Sequence, residues 1–208
     1  MIKVEKIEAW GYEHAIRGMR NPLNSWAKSD SAWSGEEDMH FIVGDNDIGL
    51  MERLCKAGTE HRKYLRQIFV SMDITAPLYF WKEFDTYKIG VTANSCSTMH
   101  TIHKKKFELD DFSYEHLCDT SLDALQALIN VLNIEREHYL VVKDKTSWWQ
   151  LVQLLPSSYN QKRTVTMSYE NALNMIHQRK NHKLDEWRFF VDILSSFPYM
   201  SELIGAME

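Results

Sequence analysis

Residues 164–180, TVTMSYENALNMIHQRK, decide how this chain is read. Ser168 stands where a helix N-cap is wanted, because its hydroxyl can accept from an amide of the first turn. The spacing predicts a helix from there through Arg179, with Ala172, Met175 and Ile176 on its apolar side. Asn171, Asn174, Gln178 and Arg179 fall at i, i+3, i+7 and i+8, forming a polar stripe beside the apolar one. Two readings fit that stripe: an ordinary solvated face, or a row of amides and an Arg facing a phosphate or a base edge. Arg suits the second task because its planar donor fork binds an oxyanion bidentately.

Outward from this helix, Leu184 to Leu194 is a second helical run, with Trp187, Phe190, Val191 and Leu194 on one face. Asp119–Thr120 caps a helix carrying Leu122, Leu125, Leu128, Ile129 and Leu132, and Trp148 to Leu155 is a short helix ended by Pro156. Asp45 to Ala57 reads as a helix with Ile48, Met51, Leu54 and Cys55 on one face and Gly58 at its stop. Residues 2–9 alternate as a strand, and so do residues 66–75, where Ile68, Val70, Met72 and Ile74 share a face. Pro77 opens a helix in the aromatic segment PLYFWKEFDTYKIG. Residues 20–38 and 92–103 read as loops, the first long enough to be a lid. Strand–helix–strand–helix followed by helices predicts an α+β fold. No linker or repeat divides the chain, so residues 1–208 read as a single domain.

Composition excludes several classes. With 44% hydrophobic and 25% charged residues the chain builds a core and is not disordered. A net charge of −5 argues against gripping polymeric nucleic acid, while leaving room for a local phosphate pocket. The three cysteines, Cys55, Cys96 and Cys118, are far apart and form no disulfide framework or four-thiolate zinc site. No apolar run is long enough to span a membrane and the start lacks a signal-peptide core, so the expectation is a cytoplasmic protein.

Other candidates are weaker. His100 and His103 are three residues apart with no carboxylate at partner spacing, so no metal site is expected. Lys104, Lys105 and Lys106 either are simply solvated or serve a phosphate at the adjoining Ser/Thr/Asn loop. Trp26 and Trp33 either anchor the 20–38 loop on the body or stack on a planar ligand. The chain holds no P-loop, no dinucleotide glycine fingerprint and no nucleophile elbow.

Taken in order, the features resemble the flavin-dependent thymidylate synthases. The resemblance rests on Ala76-Pro77, KEFDTYK at 82–88, ANSCSTMH at 93–100, Leu155-Pro156, TVTMSYENALNMIHQRK and a closing helix that ends near FPYMSEL. It covers roughly residues 49–103 and 151–204. It implies a mixed or antiparallel sheet flanked by helices, FAD as cofactor, and NADPH and methylenetetrahydrofolate as co-substrates. It also implies a pyrimidine deoxynucleotide substrate and a homotetramer with an inter-subunit site. Ser97 and Arg179 would then bind substrate, and Tyr87, Lys88 and Asn174 would bind the cofactor. No covalent nucleophile is implied, so Ser97 positions substrate rather than attacking it, and no catalytic residue is assigned.

The departures are as informative. The family's Arg-His-Arg is replaced by Thr86-Tyr87-Lys88, and the Arg-Tyr end of its serine loop by Met99-His100. The Arg before Leu-Pro becomes Val152, and the Asn and Arg of a Thr-x-Asn-x-Arg stretch become Ser168 and Glu170. Each lost Arg removes charge-assisted hydrogen bonds of about 1.5–3 kcal/mol. Two outcomes follow: a changed nucleotide site with Lys88 and Lys104–Lys106 substituting, or a non-catalytic nucleotide-sensing or protein-interaction module on the same fold.

Overall fold

The N-terminal alternation becomes strand β1 (Lys3–Trp10), and Gly11 then turns the chain into helix α1 (Tyr12–Arg20). Only glycine fits that turn. Its φ is +93°, and a Cβ there would lie 2.2 Å from the Gln67 carbonyl oxygen. The computed structural model describes residues 2–36 and 39–207. Helix α1 was not anticipated, although Tyr12, Ala15, Ile16 and Met19 have helical spacing and are buried.

The 20–38 stretch is more structured than a loop. It contains two short 3-10 turns (Asn21–Leu23 and Trp26–Lys28) and strand β2 (Ala32–Ser34). Strand β2 pairs antiparallel with β3 (His40–Ile42), Trp33 opposite Phe41. Glu37 and Asp38 of the expected lid lie outside the described residues. Its polarity has a structural cause. Ser29 and Ser31 both donate to Asp47 (2.6 Å each) in helix α2 (Asp45–Lys56), whose carboxylate also receives Arg20 Nε at 2.5 Å. Burial works against charge on Asp47, but the bonds from Ser29, Ser31 and Arg20 outweigh it and hold the carboxyl below its ordinary value.

A 3-10 turn at Arg62–Arg66 takes the start of the expected second strand, so β4 runs Phe69–Pro77. Its predicted face is fully buried at Ile68, Val70, Met72 and Ile74. Pro77 caps helix α3 (Leu78–Phe84), as expected. The expected loop at 92–103 is instead strand β5 (Val91–Ser95) and the short helix α4 (Thr98–Thr101). An edge strand with solvated side chains lacks the apolar alternation that would have revealed it. Helices α5 (Asp119–Val142) and α6 (Lys145–Leu154) follow, then strand β6 (Asn160–Ser168). Helices α7 (Tyr169–Arg179), α8 (Asp185–Ser195) and α9 (Met200–Met207) complete the chain. Helix α8 ends at Ser195, beside FPYMSEL as expected, and Tyr199 takes φ +61° before α9 begins.

The architecture is α+β with an antiparallel sheet of order β1-β4-β6-β5. Among the described residues the chain forms two compact units. One comprises the start of the chain to Glu5, Asp73–Thr86 and Ala93–Thr164. The other comprises Lys6–Met72, Tyr87–Thr92 and the chain from Val165 onward. In the first unit α5 packs on α6 around Ile102, Phe107, Phe112, Leu125, Ile129, Leu132 and Leu151. In the second, α2 packs on α9 and α7 on α8, with Met51, Leu173, Trp187 and Leu203 buried. Among the described residues no helix is long and apolar enough to cross a membrane.

Candidate functional site

Ser168 caps α7 as its sequence predicts, accepting from the Asn171 amide at 3.3 Å. The stripe that follows is engaged along its length by two segments of the same unit. Segment 87–90 is clipped to it twice. Asn171 Nδ2 donates to the Ile89 carbonyl (2.6 Å), and the Tyr87 hydroxyl donates to Gln178 Oε1 (2.9 Å) while accepting from Arg179 Nε (3.0 Å). Gly90 lets the clip close. Its φ is +75°, and a Cβ would stand 3.0 Å from Asn171 Oδ1.

Arg179 is the most constrained of these side chains. Its guanidinium lies 4.8 Å from the ring centre of buried Trp187 and 5.6 Å from that of Tyr87. Aromatic faces attract the cation, and stacking fixes the plane of the fork. The structure thus brings Tyr87 and Arg179 together, although the sequence reading gave them to different ligands.

The other segment is the 62–66 turn. Arg62 Nε reaches Glu170 Oε1 at 3.3 Å and its Nη2 reaches Asn174 Oδ1 at 3.2 Å, while Arg66 also bonds Glu170. Arg62 and Glu170 are both buried. Arg62 carried no sequence signal beyond a basic stretch, yet it accounts for Glu170. A carboxylate where the resembled family carries an Arg is here paired with buried Arg62 and with exposed Arg66. Ser168, the other exchanged position, is the helix cap.

The donor set can be matched against a phosphate-bearing cofactor such as FAD. Lys88 is exposed and its ammonium has no ion pair among the described residues. Asn174 gives its oxygen to Arg62 and keeps its amide N–H groups for another acceptor. The Tyr87 hydroxyl is occupied by Gln178 and Arg179. A cation and an amide donor remain, and those fit an anionic group.

Ser97 belongs to the other unit. Its Oγ accepts from the His100 amide (3.3 Å), capping α4. Gln161 Nε2 holds the same loop through the Cys96 carbonyl (3.0 Å) and Thr98 Oγ1 (3.2 Å). Gln161 is itself fixed by Arg163, which lies 4.3 Å over Trp81 and pairs with Asp85 at 2.6 Å. Lys105 pairs with Asp111 at 2.8 Å, whereas Lys104 and Lys106 have no ion pair among the described residues. His103 lies edge-on to Tyr139 and His100 is exposed; no metal-holding cluster occurs among the described residues.

No protein-family model and no curated protein matches the sequence. Solved structures do match the fold. A flavin-dependent thymidylate synthase of Helicobacter pylori complexed with FAD and dUMP superposes with a TM-score of 0.68 at 16% identity, over 97% of both chains. A second structure of that enzyme, also with FAD and dUMP, gives 0.68 at 15% identity over the whole of both chains. A UMP/dUMP methylase of Streptomyces cacaoi bound with 5-Br dUMP gives 0.62 at 12% identity, covering 100% of this chain and 93% of its own. The chain therefore has the fold of the flavin-dependent thymidylate synthases.

Proposed function

We propose that this chain is a divergent flavin-dependent thymidylate synthase that transfers a one-carbon unit to a pyrimidine deoxynucleotide. The observation that carries the reading is Arg179, fixed by Tyr87 and Trp187 on the α7 stripe. It occurs in a fold whose solved neighbours hold FAD and dUMP. Arg179 donates its fork to the nucleotide phosphate. Tyr87 acts by holding Arg179 in that orientation. Lys88 and the Asn174 amide are the groups that would hold FAD by its phosphates. When bound, FAD would supply the redox and one-carbon chemistry, with methylenetetrahydrofolate and NADPH as co-substrates. The Ser97 hydroxyl orients substrate by donating a hydrogen bond. The same reading carries a cytoplasmic homotetramer.

One observation favours a second reading, a non-catalytic nucleotide sensor. Ser168 and Glu170, where the resembled family carries Asn and Arg, are committed to the cap and to Arg62 and Arg66. The two readings separate in one series of measurements. The protein is purified without added cofactor, its visible spectrum recorded, FAD titrated in, and thymidylate formation assayed with deoxyuridylate, methylenetetrahydrofolate and NADPH. Saturable FAD binding with turnover is expected. Nucleotide binding without turnover would favour the sensor, and a colourless protein with no saturable FAD binding would remove the flavin.

A further inference from the structure

A cavity of about 620 Å³ opens where β1 passes into α1, faced by the β2–β3 hairpin and by Pro198–Tyr199. Its size is that of a small-molecule site. Its walls are unusually aromatic. Trp33 meets Phe41 edge-to-face at 5.6 Å, and Tyr12 meets Tyr199 in the same manner at 5.7 Å. Trp10 stacks on Phe69 at 6.0 Å. Trp10 remains 44% exposed and Trp33 50%. Two indoles left half in water beside one cavity forgo the burial that Trp usually gains in a core.

The backbone of one cavity residue is also strained. Tyr199, lining it, takes φ of +61°. A non-glycine residue in the left-handed region is costly and is retained where the surroundings over-determine it, often at ligand sites. Tyr199 is held there by the Val43 amide, which donates to its hydroxyl at 2.9 Å. One acidic group lies in the wall. Glu13 is half-buried, and its carboxylate has no hydrogen-bond or ion-pair partner among the described residues.

The geometry points to a second binding site, for a planar bicyclic base presenting two adjacent N–H donors, the edge that guanine carries. Rings flanking the cavity stack on the bicycle, and the carboxylate sets the choice of base. A carboxylate is acceptor-only, with two oxygens side by side. Guanine matches it with adjacent ring N–H and amino donors. Adenine offers a donor beside an acceptor, and uracil an N–H between two carbonyls, so each sets a lone pair against the carboxylate. The negative charge also favours a base or nucleoside over its phosphate. The site touches the α7 region, since the Tyr12 hydroxyl lies 2.5 Å from that of Tyr169, the first residue of α7. It does not depend on the flavin reading.

The test is calorimetric titration of the full-length protein with guanosine, adenosine and uridine. Guanosine is expected to bind saturably, with the other two at least about ten-fold weaker, as one mismatched polar edge commonly costs. Trp33→Ala should weaken guanosine about ten-fold by removing a stacking ring, with circular dichroism and thermal unfolding checking that the variant stays folded. Glu13→Gln, nearly isosteric, replaces two acceptors by a donor and an acceptor. It should lower guanosine affinity and raise that of adenosine, a swap that a merely structural role would not produce. Absence of saturable guanosine binding, equal affinity for the three nucleosides, or guanosine binding unaltered in both variants would overturn the proposal.

Discussion

The two ends of α7 use opposite charges in opposite ways. Glu170 in the first turn and Arg179 in the last both complement the helix dipole. At the first end two arginines converge on one buried carboxylate, and Arg62 spends a further donor on Asn174. At the far end a guanidinium lies against two aromatic rings and donates to a phenolic oxygen, contacts that fix its plane. One eleven-residue helix thus carries a carboxylate bound by two arginines in its first turn and a ring-stacked guanidinium in its last.

The largest effect should come from breaking the saturated end. Glu170→Ala strands Arg62 in a buried site, and removing one partner of such a pair costs about 3–5 kcal/mol. Urea unfolding should give a correspondingly lower midpoint. A shift below about 1 kcal/mol would mean that the cluster is solvated.

Acid makes a gentler cut of the same kind at Asp47. Its folded-state carboxyl lies below the ordinary value despite burial, because Ser29, Ser31 and Arg20 donate to it. Its contribution is therefore complete above the unfolded carboxylate value, about 3.9. It is lost as pH falls through the lowered folded value. Stability followed from pH 6 downward should decline in that window, and Asp47→Asn should flatten the decline while lowering stability at neutral pH.

The smallest effect is expected at the aromatic end. Tyr87→Phe keeps the ring beside Arg179 and removes the hydroxyl that accepts from it. Unfolding should change by about 0.5–1.5 kcal/mol, the worth of a typical hydrogen bond. Nucleotide affinity should fall only a few-fold, whereas Tyr87→Ala, which also removes the ring, should weaken it further. Equal affinities in wild type and both variants would detach Tyr87 from the positioning of Arg179.

The α7 helix, its cap and its stripe were legible because period and cap chemistry are local properties. So was the buried face of β4, an uninterrupted apolar alternation. Strand β5 was not, because an edge strand with solvated side chains lacks that pattern. The 20–38 segment misled for a different reason: two of its serines, Ser29 and Ser31, are tied to Asp47, a partner that local polarity does not reveal. Within the candidate site, the stripe residues could be named from spacing. Their partners could not, since Tyr87, Ile89 and Arg62 reach α7 from distant sequence. No local signal linked Arg62 to Glu170 or Tyr87 to Arg179.

The central claim is that the Arg179 end of α7 receives a nucleotide phosphate. Calorimetric titration of dUMP into wild type and Arg179→Ala, with FAD present, tests it most directly. The account predicts saturable binding to wild type and a loss of about 1.5–3 kcal/mol in the variant, roughly 10- to 150-fold. Arg179→Lys should recover only part of this, because an ammonium cannot reproduce the fork. Thermal stability should change by about 1 kcal/mol, the scale of the lost cation–π contacts. Equal dUMP affinities in wild type and Arg179→Ala would contradict the claim.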